Sequence, residues 1–155
     1  MNTQETDRVE RTILLHAPCS RVWKALTDIE EFGRWFGVQS HDSFTPGARV
    51  RGMNTRKGFE KVKWDVTVAQ MEPERLFSWR WHPYAIDRLV DYSAEPTTQV
   101  VFRLEPAAND TKLSVFESGF GRLPPARRSE AYAKHEEGWT LQLKSIEEYL
   151  GRSGG

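Results

Sequence analysis

The sequence predicts an α+β fold in which a curved antiparallel β-sheet wraps around a long C-terminal α-helix, with an internal cavity between them. Three observations predict it. A strand-like start runs into a proline-started helical segment carrying Val22, Trp23 and Leu26. From Pro46-Gly47 to Ser118 the apolar pattern has period two. After Pro124-Pro125 the period returns to 3.6 over about 25 residues. A chain of 155 residues fits one domain on the usual size prior. The reading is a single domain over 1–150 and a disordered tail over 151–155, rich in Gly.

The elements follow in order. Val9 to Leu15 is rich in β-branched and aliphatic residues and reads as a strand. Pro18 suits a helix start, where its missing N–H costs nothing. Thr27 and Glu30 stand at capping-box spacing and open a second short helix through Trp35-Phe36. Val50 to Asn54 is a short strand turned by Lys57-Gly58. Val62, Trp64, Val66 and Val68 alternate with polar residues, and so do Phe77, Trp79 and Trp81 after a turn at Glu72–Arg75. Here Ser78, Arg80 and His82 take the wet face. A polar segment from Pro83 to Pro96 interrupts the pattern. It is long for a hairpin connection and predicts a mobile loop over one end of the cavity, with Tyr84, Ile86, Leu89 and Tyr92 as its apolar contacts. Val100, Phe102 and Leu104 resume the alternation, Asn109-Asp110 turns, and Leu113 and Val115 complete a last strand. Short connections of this kind predict an antiparallel meander.

The closing helix is expected from about Ala126 to Leu150. Tyr132, Trp139, Leu143, Ile146 and Leu150 share one face. At 1.5 Å per residue its length is roughly 37 Å, enough to cross a sheet. Gly138 lowers helix propensity there by about 1 kcal/mol, which predicts a compensating close approach of another element.

Composition narrows the function classes. Lys plus Arg equals Asp plus Glu, 22 against 22, so the basic excess of a general nucleic-acid binder is missing and no nucleic-acid partner is expected. No apolar run reaches the length of a membrane span, and the polar start, Met1 to Arg11, does not read as a signal peptide. Cys19 stands alone, which excludes a disulfide framework and points to a reducing cytoplasm. His16, His41 and His82 lack metal-ligand spacing, so no metal is expected. Mean hydropathy is −0.64, yet aromatics make up 12% of the chain, including six Trp. The apolar volume therefore lies in large flat rings, which build a core and can also line a cavity for a flat or greasy ligand.

A set of short segments in a fixed order adds to this. They are Ala17-Pro18, Val22-Trp23 and Leu26-Thr27-Asp28, then Trp35-Phe36, then Glu72-Pro73 with Leu76 and Trp79. Glu117-Ser118-Gly119-Phe120 and Gly138-Trp139 with Leu143 close the series. Over Val9 to Leu150 the chain resembles the Hsp-90 ATPase activator-like (AHSA-type) branch of the START-like, polyketide-cyclase (SRPBCC) superfamily. His82-Pro83-Tyr84, Asp91-Tyr92-Ser93 and Glu95-Pro96-Thr97-Thr98 resemble one bacterial subgroup of it. The resemblance implies the helix-grip fold, whose cavity superfamily members use for lipids, aromatic polyketides or plant hormones. The namesake activators instead dock the fold onto the chaperone, aided by a separate N-terminal domain that these 155 residues do not contain. Chaperone contact therefore stands behind small-molecule binding. There is no Gly-rich dinucleotide loop and no cysteine cluster for an iron–sulfur centre, so no cofactor is expected.

Two residues are candidates for chemistry. Glu117 follows Leu113 and Val115 at period two, which points its carboxylate towards the helix. His135 lies three residues after Tyr132 and four before Trp139, near the inward stripe. Together they could act as general acid and base; the plain alternative is that each satisfies a neighbouring backbone or Tyr group, or reaches solvent at the cavity rim. If the cavity is a binding site, His135→Leu is expected to be neutral or slightly stabilising while weakening the ligand; if His135 is a satisfied structural histidine, the same change strands a buried partner and costs roughly 1–3 kcal/mol. The expected ligand-contact set is Trp35, Trp64, Trp79, Trp81, Phe102, Glu117, Phe120, His135, Trp139 and Leu143. Arg49, Arg51, Arg56, Lys57, Lys61 and Lys63 read as a solvated strand edge.

Three functions fit. The leading one is a binding protein, monomer or weak homodimer, for a small hydrophobic or aromatic molecule. The second is a cyclase- or hydrolase-like enzyme using Glu117 and His135. The third is a co-chaperone or stress-response interaction module. A closed, well-filled cavity favours the third, an open apolar cavity with no paired acid and base the first, and a hydrogen-bonded Glu–His pair at its centre the second.

Overall fold

The structure, a computed structural model, describes residues 8–152. The polar start before Arg8 and the expected tail from Ser153 lie outside them. The elements are β1 (Arg8–Leu15), α1 (Cys19–Thr27), α2 (Ile29–Phe36), β2 (Val38–Gln39), β3 (Arg49–Asn54), β4 (Lys63–Glu72), β5 (Leu76–Trp81), β6 (Thr98–Ala107), β7 (Asp110–Ser118) and α3 (Pro125–Arg152). The fold is α+β: seven strands form one curved antiparallel sheet in the order β1-β7-β6-β5-β4-β3-β2, with α3 packed across it. Among the described residues no helix is long and apolar enough to cross a membrane.

Local chemistry explains the departures from expectation. The cap of α2 is Asp28 rather than Thr27. The Asp28 carboxylate accepts from the backbone N–H groups of Glu30 and Glu31, satisfying two orphan donors beside the positive end of the helix. The Thr27 hydroxyl instead donates back to the carbonyl of Trp23 inside α1. Gly37 ends α2 at φ 92°, a conformation that suits glycine. A side chain there would also strike Arg56, whose guanidinium donates to the carbonyls of Trp35 and Phe36. Arg56 thus caps a helix end while remaining exposed on the basic edge.

The short strand β2 carries no periodic signal and was not foreseen. The turn expected at Asn109-Asp110 is displaced by one residue: Ala107 pairs with Asp110, so the two-residue loop is Ala108-Asn109. Ser78 is buried rather than wet. A β-bulge between Val68 and Gln70 shifts the register there, and the Ser78 hydroxyl accepts from the Gln70 N–H that the bulge frees.

The helix α3 takes in Gly151, which the sequence reading assigned to the tail. Its 28 residues span about 42 Å. The expected stripe is inward: Trp139, Leu143, Ile146 and Leu150 are buried, each worth about 1.5–3 kcal/mol of apolar transfer for the aliphatic members. The close approach expected at Gly138 is absent, since a Cβ built there meets nothing within 4 Å.

Candidate functional site

Trp81 and Thr98 are register partners at the ends of β5 and β6, on either side of the 83–96 segment. Glu117 lies on the next strand, opposite Val100. His135 and Trp139 sit one helical turn apart on α3, facing that corner of the sheet. These five side chains meet at the Glu117 carboxylate. Oε2 accepts from Trp81 Nε1 at 2.8 Å and from the Thr98 hydroxyl at 2.5 Å. Oε1 accepts from Trp139 Nε1 at 2.8 Å and bonds His135 Nδ1 at 2.6 Å. One oxygen thus takes the sheet donors and the other takes the helix donors.

Glu117 is fully buried. Burial pushes its carboxyl pKa up, but the charge that His135 carries when protonated and the hydrogen bonds from His135, Thr98 and Trp81 outweigh that and hold it below the usual carboxylate value. A carboxylate accepts only, so His135 Nδ1 must carry the proton. With about four lone-pair sites and four donors, Glu117 has nothing left to offer a substrate. His135 bonds through Nδ1, and its Nε2 has no hydrogen-bond partner among the described residues. The His135 side chain keeps 14% of its surface exposed. Phe120 and Trp81 flank its ring at centroid distances of 5.7 and 5.6 Å.

The expected ring residues are brought together beside this cluster, Trp35 joining them through Phe32 and Phe36 at centroid distances of 5.1 and 5.6 Å. Trp79 contacts Trp64, Trp81, Phe102 and Trp139 at centroid distances of 6.1, 5.4, 5.2 and 6.5 Å. Leu143 is buried one turn beyond Trp139. Trp35 turns towards α1, where its Nε1 donates to the Ala25 carbonyl at 2.8 Å. Phe36, not foreseen as a contact, takes a central place: it packs on Trp79, Trp81 and Trp139 at 6.1, 6.4 and 6.1 Å. These are ordinary aromatic contact distances, so the rings themselves occupy the space that was expected to be a cavity. The surface depressions beside Arg11, Glu136 and Thr140, and beside Cys19, Glu74 and Asp110, lie away from this cluster.

The 83–96 segment is tied down. Arg127, near the start of α3, donates to the carbonyls of Pro83 and Tyr84 and to the Glu95 carboxylate, all at 2.9 Å. Its guanidinium also lies 4.7 Å from the Tyr92 ring centroid. Leu89, read as an apolar contact of this segment, is instead 96% exposed. Arg127 and Thr98 were missed in the sequence because neither lies on an apolar stripe. Among the described residues no group of three His, Cys, Asp or Glu side chains is placed to hold a metal ion.

The family model for Activator of Hsp90 ATPase homolog 1-like protein matches residues 16–151. The chain belongs to this family. Among solved structures, DynU16, a protein of the dynemicin biosynthetic locus, is 28% identical with a TM-score of 0.72. The match covers 94% of this chain and 47% of DynU16, so the chain spans about half the length of that protein. Protein MLL2253 from Mesorhizobium loti is 23% identical, with a TM-score of 0.74 over 94% of this chain and 97% of its own. CalU16 from Micromonospora echinospora is 18% identical, with a TM-score of 0.66 over 92% and 75%. The last two likenesses show the fold alone. No curated protein matches the sequence. In this member of the activator-homolog family, the Glu117–His135 cluster stands at the ends of β5 and β6 that the 83–96 segment connects.

Proposed function

We propose that this protein binds a small hydroxylated aromatic molecule between the sheet and α3, with His135 Nε2 reading the hydroxyl. The observation that carries this is the oriented imidazole. Glu117 holds Nδ1–H, so a neutral His135 presents Nε2 as an acceptor at the edge of a ring-lined interior. Such an arrangement, apolar walls with few fixed polar groups, is the usual chemistry of small-molecule sites. Entry requires Phe36, Trp81 and Trp139 to part, because their rings are in contact. The locus of DynU16 makes a small organic molecule a fitting class of ligand.

A panel of lipids, flavonoids and small aromatics followed by intrinsic Trp fluorescence finds the ligand class. Calorimetry with 2-naphthol and its methyl ether then tests the contact, since only the naphthol can donate to Nε2. The naphthol is expected to bind more tightly to the natural chain, and this advantage disappears in His135→Leu. Equal binding of both compounds to both proteins contradicts the assignment. His135→Leu removes one of four donors to a buried carboxylate and costs about 1–3 kcal/mol, so binding is measured well below its melting temperature.

The same 2.6 Å pair favours a second reading, proton transfer at Nε2 by an imidazole that Glu117 positions. Turnover of a bound ligand that is lost in His135→Gln, with binding retained, distinguishes it from binding alone.

A further inference from the structure

Of the five indoles in the interior, three have acceptors. Trp35 donates to Ala25, while Trp81 and Trp139 donate to Glu117. Trp64 Nε1 and Trp79 Nε1 are buried and have no acceptor among the described residues. The two rings are 4% and 0% exposed and stand 6.1 Å apart, edge to face. Buried donors are nearly always paired, and leaving one unmade is costly. The rings packed on these two are those of five phenylalanines, Phe32, Phe36, Phe44, Phe77 and Phe102, and of Trp81 and Trp139, which offer only π faces, weaker acceptors than oxygen. Nothing in that set of rings carries charge, and such surroundings penalise an anion.

We infer that the ligand also carries a neutral carbonyl oxygen, and that the indole N–H groups of Trp64 and Trp79 are its donors. The ligand class is thereby narrowed to aromatic ketones and related neutral carbonyl compounds. This rests on the reading that the ring-lined interior binds small aromatics. Trp64 and Trp79 would select among aromatics of equal size by their acceptor, while His135 reads the hydroxyl separately.

The matched probes are 9-fluorenone and fluorene, equal in shape and differing in the carbonyl. Each is titrated into the full-length, 15N-labelled protein while the indole N–H resonances are followed, with Trp64→Phe and Trp79→Phe supplying the assignments. Fluorenone is expected to bind up to about tenfold more tightly than fluorene, the scale of one net hydrogen bond. The Trp64 or Trp79 indole proton should move downfield with fluorenone alone, and the affinity advantage should vanish in the Phe variant of the donor. Equal affinities without a downfield shift overturn this inference and leave aromatic binding standing. Failure of both probes to bind overturns the inference and the binding reading together. If Trp79→Phe does not fold, Trp64→Phe and the comparison in the natural chain still decide the matter.

Discussion

Trp81 and Trp139 donate to opposite oxygens of one buried carboxylate, Glu117, one from the sheet and one from the helix. Glu117 therefore fastens α3 to the ends of β5 and β6, and it fixes the His135 ring in the same act. Stability and the orientation of the imidazole meet at this single side chain.

Replacing Glu117 with Gln keeps the shape and swaps one acceptor oxygen for an NH2. Thr98 can rotate to accept from that NH2, and His135 can change tautomer, but the indoles cannot adapt. In either amide orientation one indole N–H faces an amide N–H. The expected cost is about 1–3 kcal/mol, read from urea unfolding. A variant as stable as the natural chain would remove Glu117 from its fastening role.

The pH dependence has a definite sign. The Glu117 carboxyl sits below its ordinary value of 4.5, so its contribution is complete above about that pH and disappears as pH falls through the lower folded value. Urea unfolding at a series of pH values should show the natural chain losing its advantage over Glu117→Gln on acidification below about 4.5. An advantage that grows in acid contradicts the charged, hydrogen-bonded carboxylate described above.

Arg127→Ala removes every bond that Arg127 makes to the 83–96 segment. Amide exchange in that segment should quicken markedly while exchange in β6 and β7 stays unchanged. Unchanged exchange in 83–96 would mean that other contacts hold the segment.

Gly138 faces open space in α3, so Gly138→Ala should stabilise the protein by about 1 kcal/mol. A thermal melt checks this directly. Destabilisation would show that a close neighbour needs the missing side chain.

The parts legible in the sequence are those set by periodicity. Period two puts Glu117 on the same face as Leu113 and Val115, and helical spacing puts His135 beside Trp139, so both halves of the pair are legible in the sequence. Their partners could not. Thr98 reaches Glu117 only because β5 and β6 pair as Trp81 with Thr98 across a long irregular connection, and no local pattern encodes that register. Asp28 and Thr27 are adjacent residues of similar capping ability, so sequence alone could not choose between them. Ring count gave the aromatic volume between sheet and helix but not whether the rings leave room, because that depends on rotamers. Trp35 shows the same limit: helical spacing placed it on an apolar face, and packing decided which neighbour that face meets.

The central claim is that His135, oriented by Glu117, contacts the ligand through Nε2. The direct measurement is the 15N spectrum of the imidazole, recorded with histidine-labelled protein during a titration with 2-naphthol. The account predicts that Nδ1 stays protonated and bonded to Glu117 throughout, while the Nε2 resonance shifts in step with saturation. An Nε2 resonance that does not move while the Trp signals report full binding would contradict it.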